Sequence, residues 1–124
     1  MKIKELMNKI YVISPNTTLK TAADVMSKKN IGSLAIVDKK KIVGIITERD
    51  ILCNAANLNK KISSAMTEDI ISIDLNESIE EAAKIMSDNQ IKRILVTEKD
   101  KLVGIITATD IIANSDLLNQ NIFF

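Results

Sequence analysis

The sequence contains no histidine and only one cysteine, Cys53. Histidine is the commonest metal ligand and general base in proteins, so its absence argues against metal centres and catalytic triads. A lone cysteine cannot form a disulfide within the chain, and without a histidine partner we interpret Cys53 as a small buried hydrophobic residue. We therefore expect no metal ion and no enzymatic activity.

Long apolar segments are also missing from the chain. Apolar stretches such as residues 102–107 end after a few residues, far short of the roughly 20 that cross a bilayer. Residues 1–9 contain lysines but no apolar segment follows them, so they do not resemble a secretory signal. We predict a cytoplasmic protein that does not enter a membrane.

Aromatic residues make up 2% of the chain, and the net charge is +1. Few aromatic rings leave little for base stacking, and a near-neutral chain creates no field that attracts nucleic acid. Hydrophobic residues at 46% and charged residues at 27%, in a chain of 124 residues, are typical of one compact globular unit. A separate catalytic domain would not fit in this length.

The chain repeats itself at a shift of about 60 residues. Residues 10–54 and 70–114 share about 18 identities in about 45 aligned positions, which is far above chance. A shorter likeness, between residues 3–7 and 62–66, precedes each copy. We therefore predict two copies of one supersecondary unit.

These likenesses define the expected domain organisation. We predict a first repeat at residues 1–56, a polar linker at 57–61, and a second repeat at 62–124. The second repeat includes an apolar tail, residues 117–124, which resembles nothing else in the chain.

Each copy has the pattern β-α-β-β-α. In the first copy, a β-prone run at residues 10–13 precedes a helix that Thr17 or Thr18 caps, and a hairpin connection at 38–40 separates two strands. A second helix begins at Thr47. One copy alone buries little surface, so we expect the two sheets to pack together about a pseudo-two-fold axis in a mixed α/β fold of the α+β type.

One heptapeptide pattern occurs in both copies. It consists of Gly, two hydrophobic residues, Thr, two variable residues and Asp, at residues 44–50 and again at 104–110. Each occurrence follows a predicted hairpin and precedes a predicted helix. In these features nearly the whole chain resembles the CBS domains, which occur as tandem pairs called Bateman modules.

The resemblance implies a ligand site in the cleft between the repeats, where the Asp of each motif accepts hydrogen bonds from ribose hydroxyls and the Thr contacts ribose or phosphate. A carboxylate can accept from two adjacent hydroxyls together, and a helix start offers backbone N–H groups to phosphate. The residues implied for ribose are Thr47, Asp50, Thr107 and Asp110, and those implied for the adenine walls are Ile10, Tyr11, Val12, Ile70, Ile71 and Ser72.

The resemblance also implies that the two sites differ in charge. Family members that bind AMP often use a basic pair at the start of the second strand of one repeat to reach a phosphate held at the other repeat. Lys92 and Arg93 occupy that place in the second repeat, whereas the first repeat has Gly32 and Ser33. The basic pair and Arg49 would then serve the site of Asp50.

Another interpretation of Thr-x-x-Asp is structural, because a Thr followed by an acid three positions later forms a helix capping box. We predict a regulatory module that senses an adenosine-containing ligand (AMP, ADP, ATP, S-adenosylmethionine or methylthioadenosine), needs no cofactor and forms a homodimer. It would act on a separate effector protein or serve as a freestanding sensor. The alternatives are a structural dimerisation module with degenerate clefts and a nucleic-acid-binding regulator, which would need a basic face.

Overall fold

The computed structural model describes residues 1–114, which form two three-stranded sheets and four α-helices. The strands are β1 (Val12–Ile13), β2 (Ser33–Asp38), β3 (Lys41–Thr47), β4 (Ser72–Asp74), β5 (Arg93–Glu98) and β6 (Lys101–Thr107). The helices are α1 (Leu19–Lys29), α2 (Glu48–Cys53), α3 (Ile79–Asn89) and α4 (Ala108–Ala113), with short 3₁₀ helices at Ile3–Glu5 and Ile62–Ser64. The predicted mixed α+β class and the order β-α-β-β-α are confirmed.

Both sheets have the same topology. The first strand lies parallel to the second, and the second pairs antiparallel with the third. The hairpins turn through Lys39 and Lys40 and through Lys99 and Asp100, all with positive φ, the geometry that suits the twist of paired strands. Each hairpin therefore returns the end of the third strand to the start of the second, where the short helices α2 and α4 begin.

The two longer helices begin at hydroxyl caps. Thr18 Oγ1 accepts a hydrogen bond from Thr21 N at 3.2 Å, and Ser78 Oγ accepts one from Glu81 N at 3.1 Å. These caps satisfy N–H groups that have no partner inside the helix. Thr18, one of the two residues proposed from the sequence, is therefore the cap of α1.

The core consists of two aliphatic clusters. One contains Leu19, Ala22, Met26, Leu34, Ile36, Ile46 and Ile62. The other contains Ile3, Ile73, Leu75, Ala82, Met86, Ile94, Val96 and Ile106. Each cluster belongs to one compact unit: residues 10–70 form what we call the first unit, and residues 1–9 with 71–114 form the second unit.

The leading segments of the two repeats are exchanged between these units. Ile3 is fully buried in the core of the second unit, and its N–H donates to Glu77 O at 2.9 Å. Ile62 is fully buried in the core of the first unit, and its N–H donates to Thr17 O at 2.8 Å. The sequence boundaries at 56 and 62 thus separate repeats, whereas the compact units combine pieces of both.

The short helix α2 corrects one expectation from the sequence. Cys53 is exposed, not a buried hydrophobic residue, and its neighbour Leu52 is 75% exposed. Helix α2 has only six residues, and none of them is fully buried. Residues 117–124, the apolar tail, lie outside the described residues. No helix within residues 1–114 has the length and apolar character needed to cross a membrane.

Candidate ligand-binding site

The motif of the first unit holds its aspartate at the start of α2. Asp50 Oδ2 accepts hydrogen bonds from Thr47 N at 2.9 Å and from Thr47 Oγ1 at 3.1 Å, and Asp50 N donates to Thr47 Oγ1 at 3.4 Å. This is a reciprocal capping box, which confirms that Thr-x-x-Asp caps the helix. Asp50 is half-buried, and no residue among 1–114 donates a hydrogen bond to its Oδ1.

The motif of the second unit has the same box with one addition. Asp110 Oδ2 accepts from Thr107 N at 2.9 Å and from Thr107 Oγ1 at 2.8 Å. It also accepts from Asn8 Nδ2 at 2.7 Å, a contact between residues 102 positions apart. Reasoning from the sequence did not find Asn8, because the likeness between the leading segments ends before it and says nothing about its contacts.

The backbone N–H groups at the helix starts are mostly occupied. Glu48 N donates to Gly32 O at 3.1 Å, and Ala108 N donates to Lys92 O at 2.8 Å. Asp50 N and Asp110 N donate to the threonine hydroxyls of their own boxes. These N–H groups therefore already have partners within the protein, and the role of the helix starts in phosphate binding stays a prediction.

The basic pair lies beside the motif of its own unit. Arg93 is the first residue of β5 and pairs across the strands with Thr107, while Lys92 is exposed and its carbonyl accepts from Ala108. In the first unit, Ser33 pairs with Thr47 in the same register. That Lys92 and Arg93 serve the site of Asp50, together with the exposed Arg49, stays a prediction.

The predicted adenine walls follow the first strand of each sheet. In the first unit Ile10 and Tyr11 are half-buried, Val12 is 57% exposed, and the Lys29 ammonium lies 4.6 Å from the centroid of the Tyr11 ring. Tyr11 O accepts from Ala35 N at 3.0 Å, which ties this segment to β2. The lysine over the ring places a cation on the wall that the sequence suggested was apolar.

The corresponding residues of the second repeat divide between the two units. Ile70 ends the first unit, whereas Ile71 and Ser72 belong to the second. Ile71 O accepts from Leu95 N at 3.3 Å, and Ser72 is an exposed residue that begins β4. Ile71 and Ser72 therefore lie at β4, one edge of the sheet, and β5 separates them from β6, the strand that carries Thr107.

An open cavity of about 380 Å³ lies between α1 and α2 of the first unit. Its lining includes Met26 and Ile31 on one side and Ile51 and Leu52 on the other. None of the residues proposed for ligand binding lines it. The cavity includes Glu48, a variable residue of the first motif, but neither Thr47 nor Asp50.

The family model for the CBS domain matches residues 3–56 and residues 61–116. The chain belongs to the CBS-domain family. Its two motifs, with the same capping box in each, are those of a CBS pair, which confirms the resemblance found in the sequence.

Several curated proteins share this CBS pair. An uncharacterized protein from Methanocaldococcus jannaschii, MJ1232, is 39% identical over 107 residues, which cover 86% of this chain and 36% of that protein. An inosine-5'-monophosphate dehydrogenase from Thermoplasma acidophilum is 37% identical over 108 residues, which cover 86% of this chain and 22% of the enzyme. The matches to these two relatives thus span well under two thirds of their lengths.

Solved structures share the fold over most of the chain. The CBS pair of protein MJ0100, in complex with 5'-methylthioadenosine and S-adenosyl-L-methionine, has a TM-score of 0.86 and 31% identity and covers 98% of each chain. An uncharacterized conserved protein from Pyrococcus horikoshii has a TM-score of 0.84 and 29% identity, with 90% of this chain and 89% of that one covered.

Proposed function

We propose that this CBS pair is a regulatory module that binds an adenosine-containing ligand, with Asp50 accepting hydrogen bonds from the ribose hydroxyls. The observation that carries the proposal is the state of the Asp50 carboxylate. Thr47 holds one oxygen through two hydrogen bonds, and the other oxygen receives none from the described residues. A carboxylate held in one rotamer loses little entropy when a ligand binds, and it accepts strong hydrogen bonds from a pair of hydroxyls.

The relatives support the class of ligand. The CBS pair of MJ0100 was solved with two adenosine derivatives, and it is 31% identical to this chain over nearly its full length. We propose the same class here: AMP, ADP, ATP, S-adenosylmethionine or methylthioadenosine. The exposed Arg49, one residue before Asp50 on α2, would favour the ligands that carry phosphate, because a guanidinium binds phosphate well.

The proposed module regulates and does not catalyse. The ligand would shift the equilibrium between two packings of the repeats, and a separate effector protein would respond to the favoured one. No proposed residue acts as a general base or nucleophile, and no cofactor is needed. Incubation with ATP followed by chromatography of the nucleotides tests this, since the appearance of ADP or AMP would contradict it.

Calorimetry tests the binding proposal directly. Titration with adenosine, AMP, ATP, S-adenosylmethionine and methylthioadenosine should give a saturating signal for at least one ligand. Asp50→Asn should weaken that ligand about tenfold or more, since a hydrogen bond to a charged acceptor is among the strong ones. Asp88→Asn, which removes the same charge from the exposed end of α3, is the matched control. Absence of heat from all five ligands at millimolar concentration would refute the proposal.

A second candidate function, dimerisation, is favoured by one observation. Leu52 on α2 and Ile112 on α4 occupy equivalent positions and are 75% and 58% exposed. Large aliphatic side chains exposed at the same place in both copies are suited to an isologous contact with a second copy of the chain. Dimerisation is compatible with ligand binding. It would be the only proposed function left if none of the five ligands bound.

A further inference from the structure

Asn8 is held against the second motif by its own backbone. Its N–H donates to Ile105 O at 2.8 Å and its carbonyl accepts from Ile105 N at 3.0 Å, so both backbone groups of Asn8 are hydrogen-bonded to β6. From this position its side-chain amide donates to Asp110 Oδ2 at 2.7 Å. The side chain of Asn8 thus contacts the motif carboxylate of Asp110, although the two residues are 102 positions apart in the sequence.

The first unit has the same backbone arrangement without the amide. Thr67 N donates to Ile45 O at 2.9 Å, and Ile45 N donates to Thr67 O at 2.9 Å. Thr67 therefore occupies the position of Asn8, but its side chain makes no hydrogen bond to Asp50 among the described residues. At this equivalent position, Asn8 therefore donates to the carboxylate of its motif, whereas Thr67 does not.

This difference changes what each carboxylate can accept. Within residues 1–114, Asp110 Oδ2 receives three hydrogen bonds, from Thr107 N, Thr107 Oγ1 and Asn8 Nδ2, whereas Asp50 Oδ2 receives two. In both units the threonine donors already use the two lone pairs of Oδ2, so any further donor must share this oxygen; at Asp110 the Asn8 amide holds that shared position, which at Asp50 is left to a ribose hydroxyl. A ligand that needs both oxygens must displace the Asn8 amide and lose a hydrogen bond to a charged acceptor.

We infer that Asn8 is a specificity-determining residue that closes Asp110 to the ribose diol, so that the chain prefers ligand at Asp50. The inference rests on the proposed function and adds a cause for unequal sites that does not depend on phosphate. It predicts that the two sites differ in affinity even for adenosine, which carries no phosphate and is therefore not attracted by the basic side chains.

Calorimetry with adenosine tests the inference in two backgrounds that isolate one motif each. Asp110→Asn retains only the first motif and gives the reference affinity for that site. Asp50→Asn retains the second motif and should bind about tenfold or more weakly. Adding Asn8→Thr to Asp50→Asn should restore about tenfold in affinity, because threonine is the residue that the first unit has at this position. Asn8→Ala in the same background should do likewise, which guards against a folding defect in either variant.

The reciprocal exchange provides the matched test. Thr67→Asn in the Asp110→Asn background should weaken adenosine about tenfold, because it supplies an amide beside Asp50. Thr67→Val, which has a similar size and no amide, should bind as its parent does. If both Asn8 variants bind no better than Asp50→Asn while wild type binds, the role of Asn8 is refuted and the proposed function stands. If no protein in the series binds adenosine or any of the other four ligands, both are refuted.

Discussion

Gly44 lies against Met66 so closely that a Cβ atom on the glycine would stand 2.8 Å from the methionine sulfur. The same Cβ would be 3.0 Å from the Thr67 carbonyl oxygen. The equivalent Gly104 faces Asn8, with the carbonyl oxygen of Asn8 at 2.8 Å from the added atom. The glycine of the motif is therefore needed where the leading segment of the other repeat crosses β3 or β6.

The first prediction is that alanine at either glycine destabilises the protein, by about 1–3 kcal/mol. Gly104→Ala should cost more than Gly44→Ala, because its nearest neighbour is a hydrogen-bonded backbone oxygen, whereas the nearest neighbour of Gly44 is a flexible side chain. Denaturant unfolding monitored by circular dichroism measures both, with the exposed Ser63→Ala as control. Equal stability of all three variants would contradict the close approach.

The second prediction separates the capping role of Asp50 from its binding role. Asp50→Ala removes the acceptor for Thr47 N and should lower the unfolding free energy by about 0.5–2 kcal/mol. Asp50→Asn retains a cap oxygen and should lose less stability while losing as much ligand affinity. Thermal melts paired with calorimetry check this. If the alanine variant binds normally and is only less stable, Asp50 is a cap and not a ligand residue.

The third prediction concerns charge at the ligand site. Replacing Lys92 and Arg93 with alanine should weaken AMP and ATP more than methylthioadenosine. It should also flatten the salt dependence of nucleotide binding, because exposed charges are screened beyond about 8 Å in physiological salt. Lys84→Ala with Lys101→Ala removes the same net charge from exposed positions elsewhere in the second unit. Equal losses for charged and uncharged ligands would mean that the basic pair shapes the site without binding phosphate.

The fourth prediction concerns assembly. If Leu52 and Ile112 form the contact with a second copy, serine at both positions should shift the protein from dimer to monomer in sedimentation velocity, because it removes large exposed aliphatic surface. Val12→Ser is the matched control, since Val12 is exposed to 57% and Ile112 to 58%. A double variant that sediments as wild type does would show that these side chains do not hold the assembly.

The local elements were predictable from the sequence alone. Helical spacing of Leu19, Ala22 and Met26 predicts α1, and the motif with its Thr and Asp predicts the start of α2, because capping and periodicity depend on residues a few positions apart. The repeat then transfers each of these predictions to the second copy. The residues of the capping box, Thr47 with Asp50 and Thr107 with Asp110, were identified for the same reason.

Only the tertiary structure decided which segment lies on which motif. Whether the leading segment of a repeat packs on its own sheet or on that of the other depends on how well Ile3 and Ile62 fill a core far away in the sequence, and local propensity carries no information on this. The contact of Asn8 with Asp110 and the position of Thr67 follow from that exchange. The exposure of Cys53 could likewise not be predicted from the sequence pattern, because a helix of six residues is too short for the pattern to show which face packs against the core.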